Sequence, residues 1–301
     1  MSANAVAFIL DETSMDYGKR FLPEEFSPLY YTPSYFMLTE EQRLRYNQLQ
    51  ALYFNEQIIF FETAIGRPVL EALLCDSLPP QLTKGLRQFL GEEQQHTEMF
   101  RRLNQNCAPQ FYGAGHFYFI QTPRAWMAAL SWATQHPRLF PMFLWLMLLQ
   151  EERSLFYSRR VIAQREEIEP HFVKTHQTHL ADEVGHVRWD EELIEALWQC
   201  AKPFLRKVNA ELFIWMLGEF FNAPKRAQLR VAHELAREFP TLREVEPAMQ
   251  RQLLALSEDS RYQMSLYSRE IVPRTFARFD ELPEFQSLEL IGYQRQLKEA
   301  R

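Results

Sequence analysis

The chain has 301 residues, a formal net charge of −6 and only nine glycines, well below the average glycine usage of roughly 7%. Because glycine supplies tight turns and phosphate-binding loops, its scarcity argues against a Rossmann-type sheet, a β-sandwich or a propeller and favours long helices. Lys and Arg are spread along an acidic chain, so the sequence lacks the basic footprint of a nucleic-acid-binding protein, and no nucleic-acid partner is expected.

The cysteines and the apolar segments indicate the compartment. Cys75, Cys107 and Cys200 are odd in number and far apart, which suits a reducing cytoplasm and argues against a disulfide framework. The first ten residues lack the basic region of a secretory signal. The longest apolar run, residues 140–149, is about half as long as a bilayer-spanning helix. We therefore expect a soluble cytoplasmic protein without a membrane partner.

The start of the chain predicts an arm followed by a long helix. Residues 1–38 are rich in proline and aromatic side chains, which predicts an irregular N-terminal arm. Thr39 and Gln42 have the spacing of a capping box. The helix that begins there is expected to end near residue 65, because Gly66 and Pro68 follow.

The rest of the chain is also helical in pattern. Helices are predicted over residues 68–75, 79–106, 123–135, 138–167, 170–200, 203–221, 224–238 and 245–270. No segment shows the alternating pattern of a strand between turn residues, and no linker separates domains. We predict one all-α domain over residues 39–272, followed by a proline-punctuated tail over residues 273–301.

Two Glu-x-x-His motifs stand out, one formed by Glu93 and His96 and the other by Glu183 and His186. Residues three or four apart share a helix face. At about 100° per residue, His179 falls on the same face as the second motif, within roughly 60°. Three side chains that can bind a metal therefore project from one side of one helix.

The two motifs belong to a repeated pattern. A shift of 90 positions carries the first motif onto the second, and it also carries Glu62 onto Glu152. Each half then has a single Glu followed 31 residues later by Glu-x-x-His. One Glu from each of two helices and a Glu-x-x-His from each of two others make the ligand set of carboxylate-bridged dimetal bundles.

The spacing also selects between neighbouring acids. Glu93 is preferred to Glu92 because it precedes a histidine by three residues, and Glu152 is preferred to Glu151 because it fits the offset. The apolar neighbours of both single Glu residues imply burial, which is very costly for an unpaired charge. Four ionised Glu neutralise two divalent ions. Oxygen-rich ligation with a few imidazoles suits iron or manganese better than zinc.

The two halves differ in one respect. A shift of 90 positions back from His179 leads to Phe89, so His179 is a candidate seventh ligand that makes the two metals unequal. His176, one turn earlier, is a weaker candidate. Asp182 and Glu92, each directly before a ligand Glu, are candidates to hydrogen-bond and orient ligand imidazoles, and solvent exposure is the alternative for both.

The candidate ligands resemble the metal ligands of the p-aminobenzoate N-oxygenase (AurF-like) diiron family of the ferritin-like superfamily. They are Glu62, Glu93, His96, Glu152, His179, Glu183 and His186. The resemblance covers about residues 40–240. It implies a ferritin-like four-helix-bundle core with additional helices, two Fe ions (with Mn as a substitute) and a homodimer. It also implies O2-dependent oxidation of an amine nitrogen toward hydroxylamine, nitroso or nitro products in small-molecule or natural-product biosynthesis, on a free or carrier-protein-bound substrate.

The function we hypothesise is a non-haem diiron N-oxygenase in which the dimetal centre itself performs the chemistry. No Gly-x-Gly-x-x-Gly motif or flavin signature occurs, so an external electron donor is required. C–H hydroxylation or desaturation on the same bundle is one alternative; such relatives typically lack the third histidine, so His179 separates the two hypotheses. A ferritin-like iron-handling protein is the other alternative, which the long chain and the asymmetric ligand disfavour.

Overall fold

The computed structural model describes residues 14–76, 78–113, 115–222 and 224–285, together with Leu288 and Tyr293. Over these residues the protein is built from α-helices and short turns of 3₁₀ or π helix, with no strand and an isolated backbone bridge between Arg20 and Ile168. The all-α prediction is confirmed. Residues 1–13 of the predicted N-terminal arm lie outside the described residues.

The helices follow one another with short connections. Their bounds are Pro33–Met37 (α1), Glu40–Phe61 (α2), Arg67–Leu74 (α3), Pro80–Cys107 (α4), Pro109–Tyr112 (α5), Arg124–Thr134 (α6), Met142–Ala163 (α7), Pro170–Leu193 (α8), Pro203–Phe220 (α9), Ala227–Glu238 (α10), Glu246–Ala255 (α11), Ser260–Leu266 (α12) and Pro273–Glu281 (α13). Two π-helical turns, Glu62–Gly66 and Ile194–Trp198, extend α2 and α8. In the region of the predicted arm, two 3₁₀ turns, Glu24–Phe26 and Pro28–Tyr31, precede α1.

Helix α2 begins where the sequence predicts. The Thr39 hydroxyl accepts a hydrogen bond from Gln42 N at 3.3 Å, and the Gln42 side-chain oxygen accepts one from Thr39 N at 3.0 Å. This capping box satisfies two amides at the start of the helix. Gly66 and Pro68 do not end the helical path as expected, because the chain passes through the π turn directly into α3. Pro68 is tolerated there since the π turn already interrupts the α-helical hydrogen-bond ladder.

Helices α2, α4, α7 and α8 form the ferritin-like bundle that positions the site. Helix α7 packs along α8, and α4 packs against both α2 and α8. The backbones of α2 and α7 approach each other less closely than those of the other neighbouring pairs.

Two apolar clusters fill opposite ends of this bundle. One contains Phe89, Leu148 and Val187, and the other contains Phe54 and Phe172. Along each of the four helices, the predicted ligands fall between residues of the two clusters. The bundle therefore encloses a polar centre between two dry ends, where an unpaired charge is costly.

The predicted tail begins with a helix that belongs to the core. Phe276 and Phe279 of α13 are fully buried, and the Phe279 ring lies 5.3 Å from the ring of Trp145 on α7. Apart from Leu288 and Tyr293, the residues after 285 lie outside the described residues. Over the part of the chain that is described, no helix combines the length and hydropathy needed to span a bilayer.

Candidate metal centre

The bundle helices bring six of the seven predicted ligands to one place. Their donor atoms form two overlapping groups, and within each group these atoms lie within 4.8 Å of one another. The groups are Glu93, His96, Glu183 and His186, and Glu62, His96 and His179. None of the six residues is more than 4% exposed.

The two groups share His96, and Glu183 of the first group also lies beside His179 of the second. The Glu183 Oε1 atom lies 2.8 Å from His179 Nε2, 3.5 Å from His96 Nδ1 and 3.6 Å from His186 Nδ1. Glu93 Oε1 lies 3.5 Å from His96 Nδ1 and 3.3 Å from His186 Nδ1. A carboxylate such as Glu183, which lies beside histidines of both groups, is suited to bridge two cations.

Glu62 and His179 form the other end of the centre. Glu62 is the first residue of the π turn, a local widening of the helix that is frequent at functional sites. Its Oε1 lies 3.8 Å from His179 Nε2, and its Oε2 accepts a hydrogen bond from Thr97 Oγ1 at 2.6 Å. His179 Nδ1 lies 3.3 Å from Ser154 Oγ. The sequence analysis missed Thr97 and Ser154, because their roles depend on how the helices pack.

The donor set fits a pair of cations. Among the described residues, His96 Nδ1, His186 Nδ1 and both oxygens of Glu183 are buried, and none of them has a partner with the geometry of a full hydrogen bond. Buried polar atoms are normally hydrogen-bonded, and acceptors that face a shared space repel one another unless a cation lies between them. Carboxylates and neutral imidazoles are donors that iron and manganese accept. These residues are therefore suited to hold the metals that the spacing predicts.

The structure separates one predicted ligand from the others. Glu152 does not join the other six: its Oε1 accepts a hydrogen bond from Arg274 N at 2.9 Å, and its Oε2 accepts from Thr275 N and Thr275 Oγ1, both at 2.8 Å. The two amides belong to the first turn of α13, where helical acceptors are lacking. Glu152 therefore caps α13 from a neighbouring helix.

Glu151, the neighbour of Glu152, lies beside the donor groups. It is 6% exposed, and its Oε2 lies 3.6 Å from His186 Nδ1. The offset of 90 positions is a weak basis for choosing between Glu151 and Glu152. It crosses a loop in each half, and loop length does not fix the rotation of the following helix. The local pattern offers no correction, since residues 142–149 of α7 are all buried and show no polar face.

Two imidazoles have acidic partners on their outer sides. His96 Nε2 lies 3.2 Å from Asp182 Oδ2, and His186 Nε2 lies 3.1 Å from Glu92 Oε2. Each acid contacts a histidine of the other helix. Asp182 of α8 lies beside His96 of α4, and Glu92 of α4 lies beside His186 of α8. Each contact leaves the opposite ring nitrogen facing the clustered carboxylates, as in metal-ligating histidines.

Loss of either acidic partner is expected to weaken metal binding. Asp182→Ala and Glu92→Ala should each lower the affinity for iron(II) about tenfold to a hundredfold, because the histidine loses the group that holds its ring and raises its basicity. Titration against a competing chelator measures this. Glu98→Ala, which removes an exposed ion pair with Arg102 on α4, is the control. Affinities equal to that of the control would show that the two acids play no part in metal binding.

Burial and neighbouring charges shift the pKa of Glu62, Glu151 and His96 in the metal-free protein. Burial and the neighbouring Glu93 hold the pKa of Glu62 well above its usual range. Burial, followed by Glu183, raises the pKa of Glu151 to about 8. Burial opposes protonation of His96, but hydrogen bonds to acidic neighbours raise its pKa to about 10. Since bound cations favour ionised carboxylates and neutral imidazoles, metal binding releases protons from this site.

His176 lies outside both donor groups. Its Nδ1 lies 3.1 Å from Ser158 Oγ, and its ring lies 6.3 Å from the ring of Phe54 and 5.8 Å from that of Phe100. Burial, followed by the nearby His179, lowers the pKa of His176 to about 3. His176 is therefore a neutral core histidine.

The neutral His176 predicts a loss of stability in acid. In the unfolded chain this imidazole binds a proton near its ordinary pKa of 6.5, whereas the folded protein resists protonation down to about pH 3. Its contribution to stability is therefore complete above about pH 6.5 and is lost as the pH falls toward 3. In metal-free protein, His176→Phe should flatten this decline in the melting temperature, and His233→Phe, at an exposed position on α10, should not. Parallel declines in both variants would contradict the assignment.

Asp190 is a buried acid that the sequence analysis missed. It follows His186 by four residues and so lies on the same face of α8. It is fully buried, and neither of its carboxylate oxygens has a hydrogen-bond partner among the described residues. Burial, followed by Glu151, holds its pKa well above the usual range. The sequence signal for this buried acid is its spacing of four residues after His186, which places it on the helix face of the candidate ligands.

A cavity of about 360 Å³ lies behind α2. Its lining includes Phe60, Ala64, Phe117 and Met127. Phe60 and Ala64 project from the side of the helix opposite Glu62. This cavity is therefore separated from the candidate metal centre by the helix itself.

Comparison with known proteins identifies the family of the chain. The family model described as p-aminobenzoate N-oxygenase AurF matches residues 10–260, which is most of the chain and includes all of the candidate ligands. A search of curated proteins found no match. The chain belongs to the p-aminobenzoate N-oxygenase AurF family, a family of diiron oxygenases.

Proposed function

We propose that the protein is an O2-dependent non-haem diiron N-oxygenase that oxidises the nitrogen of an amine. The observation that carries the proposal is the pair of donor groups that overlap at His96, with Glu183 beside histidines of both groups and His179 in one group only. The side chains that would hold two Fe ions are Glu62, Glu93, His96, Glu151, His179, Glu183 and His186. When bound, the irons would reduce O2 and supply one of its oxygen atoms to the amine nitrogen.

The first oxidation needs electrons and protons as well as O2. An amine becomes a hydroxylamine according to RNH2 + O2 + 2 e− + 2 H+ → RNHOH + H2O. The chain has no Gly-x-Gly-x-x-Gly motif, so we place the electron source in an external donor. The chain's own part is to hold the ligands, through Asp182, Glu92 and Ser154, and to exclude water with the apolar clusters at each end.

Arg153 supports a substrate that carries a negative charge. Its guanidinium carbon lies 4.6, 5.2 and 5.8 Å from the ring centroids of Tyr157, Tyr267 and Phe54. Its hydrogen bonds are long, 3.4 Å to Gln150 Oε1 and 3.3 Å to Tyr157 Oη, and its Nε has no partner among the described residues. No described carboxylate pairs with it. A partly buried cation without an anion is costly.

The position of Arg153 suggests where the substrate binds. It lies on α7 beside Ser154, whose hydroxyl contacts His179, and it contacts Phe54 of α2. Among the neighbouring helices of the bundle, α2 and α7 have the backbones that approach each other least closely. We propose that an arylamine enters between these helices and that its anionic group, such as the carboxylate of an aminobenzoate, pairs with Arg153.

Amine-dependent O2 consumption by the iron-loaded, reduced protein tests the proposed function. p-Aminobenzoate should stimulate O2 uptake and yield hydroxylamine, nitroso or nitro products, identified by mass spectrometry, and Arg153→Gln should raise KM for p-aminobenzoate more than for aniline. No amine-dependent uptake across a panel of aryl and alkyl amines would reject N-oxygenation.

A homodimer is part of the proposal. Trp126 of α6 and Trp215 of α9 stack with their ring centroids 5.9 Å apart, yet each remains 48% exposed. Exposed aromatic surface of this kind is typical of protein interfaces. Gel filtration should give twice the chain mass of 35.9 kDa. A large cage would instead favour a ferritin-like iron-handling role.

A further inference from the structure

Trp189 links the surface of the bundle to the candidate metal centre. This residue of α8 is partly exposed. Its ring lies 5.9 Å from the ring of His186, at an interplanar angle of 30°, and 5.7 Å from the ring of Phe89. Phe89 stacks in turn on His186, with centroids 4.0 Å apart at 23°. The three rings form a continuous aromatic contact from the protein surface to a candidate ligand.

The space for this indole depends on a glycine of the neighbouring helix. A Cβ atom built at Gly85 of α4 would lie 2.4 Å from Trp189 Nε1 and 2.9 Å from two of its ring carbons, so any side chain there would displace the indole. At Gly185 of α8, a Cβ would lie 3.7 Å from the same ring, which is ordinary contact. Gly85 therefore permits the closest approach of Trp189 to α4, in a chain that has few glycines.

His186 is the end of the aromatic contact that faces the centre. Its Nδ1 lies 3.3 Å from Glu93 Oε1 and 3.6 Å from Glu151 Oε2, and its Nε2 is held by Glu92. The ring that meets Trp189 therefore presents its other edge to the proposed metal ligands. Among the described residues, no other partly exposed tryptophan has its ring in contact with a candidate ligand.

We propose that Trp189 is the entry point through which an external one-electron reductant reduces the oxidised centre. The inference rests on the proposed diiron function. Each ferric ion takes one electron and becomes ferrous, and the donor loses one electron each time. No bond of Trp189 or His186 is formed or broken. Packed rings shorten the gaps that the electron crosses, so a smaller side chain at position 189 slows the transfer.

Anaerobic reduction of the iron-loaded, oxidised protein by reduced methyl viologen tests the proposal. Loss of the ligand-to-iron absorption is followed by stopped flow in wild type, Trp189→Leu, Trp189→Phe and Gly85→Ala. Trp132→Leu, at a half-exposed tryptophan of α6, is the matched control. Trp189→Leu should be reduced severalfold more slowly than wild type, Trp189→Phe less so, and Trp132→Leu at the wild-type rate. Iron content and the reaction of pre-reduced Trp189→Phe protein with O2 should be unchanged.

Wild-type reduction rates per bound iron in Trp189→Leu and Trp189→Phe would overturn the proposal, and so would slowing that is explained entirely by lost iron. If Trp189→Leu does not fold, Trp189→Phe and Gly85→Ala carry the test. Failure of the proposed function gives a different result, because a wild-type protein that binds iron and accepts electrons but oxidises no amine leaves the role of Trp189 intact.

Discussion

Glu183→Gln is expected to abolish binding of the iron pair. Glu183 Oε1 lies within 3.6 Å of a nitrogen of all three candidate histidines, so it stands where the two donor groups meet. Glutamine keeps the shape of the side chain but loses the negative charge and one acceptor oxygen. Reconstituted protein should then hold less than about one iron per chain. Amine oxidation should fall by more than about a hundredfold, which is the largest effect expected from loss of Asp182 or Glu92.

The iron content of Glu183→Gln is measured after reconstitution and desalting, with circular dichroism to verify the helical fold. Glu192→Gln is the matched control, because Glu192 lies on the same helix and is exposed beside Arg188. The control should bind iron as wild type does. A Glu183→Gln protein that retains both irons would show that Glu183 does not bridge them.

Glu151→Gln and Glu152→Gln are expected to have opposite effects, although the residues are neighbours. Glu151→Gln removes a carboxylate beside His186 and should reduce iron binding while leaving the metal-free protein folded. Its pKa in the metal-free protein is raised to about 8, first by burial and then by Glu183, so the neutral amide replaces a side chain that is already largely protonated at neutral pH.

Glu152→Gln should instead lower stability and spare the metals. The carboxylate accepts hydrogen bonds from two first-turn amides and a hydroxyl of α13, and its loss should cost about 1–3 kcal/mol of the free energy of unfolding. Chemical denaturation of the metal-free variants, together with iron content, separates the two residues. Iron loss in Glu152→Gln with wild-type iron in Glu151→Gln would restore the ligand that the sequence offset predicts.

Spacing within one helix was the most reliable guide to the site. One face of α8 carries His179, Glu183 and His186, because the helix sets the directions of their side chains. The structure brings these three side chains together, as predicted. The choice between Glu151 and Glu152 depended on an offset that crosses loops, so it had no comparable physical basis. The rotation of α7 is set instead by packing, including the cap that Glu152 gives to α13.

The helices themselves were predictable because their signals are local. Helix α2 begins at the capping box of Thr39 and Gln42, as expected. Gly66 and Pro68 predict the end of that helix, but they lie in and just beyond a π turn that continues it. A π turn has no simple residue signature, so its position could not be predicted from the sequence. The contacts of Ser154 could not be predicted, because they arise between helices.

Quantification of iron in the reconstituted wild-type protein tests the dimetal centre most directly. The overlapping donor groups predict about two irons per chain that resist desalting, a number set by the paired-metal ligand pattern. Less than about one iron per chain, or iron that Glu183→Gln binds equally well, would contradict a dimetal site at these residues.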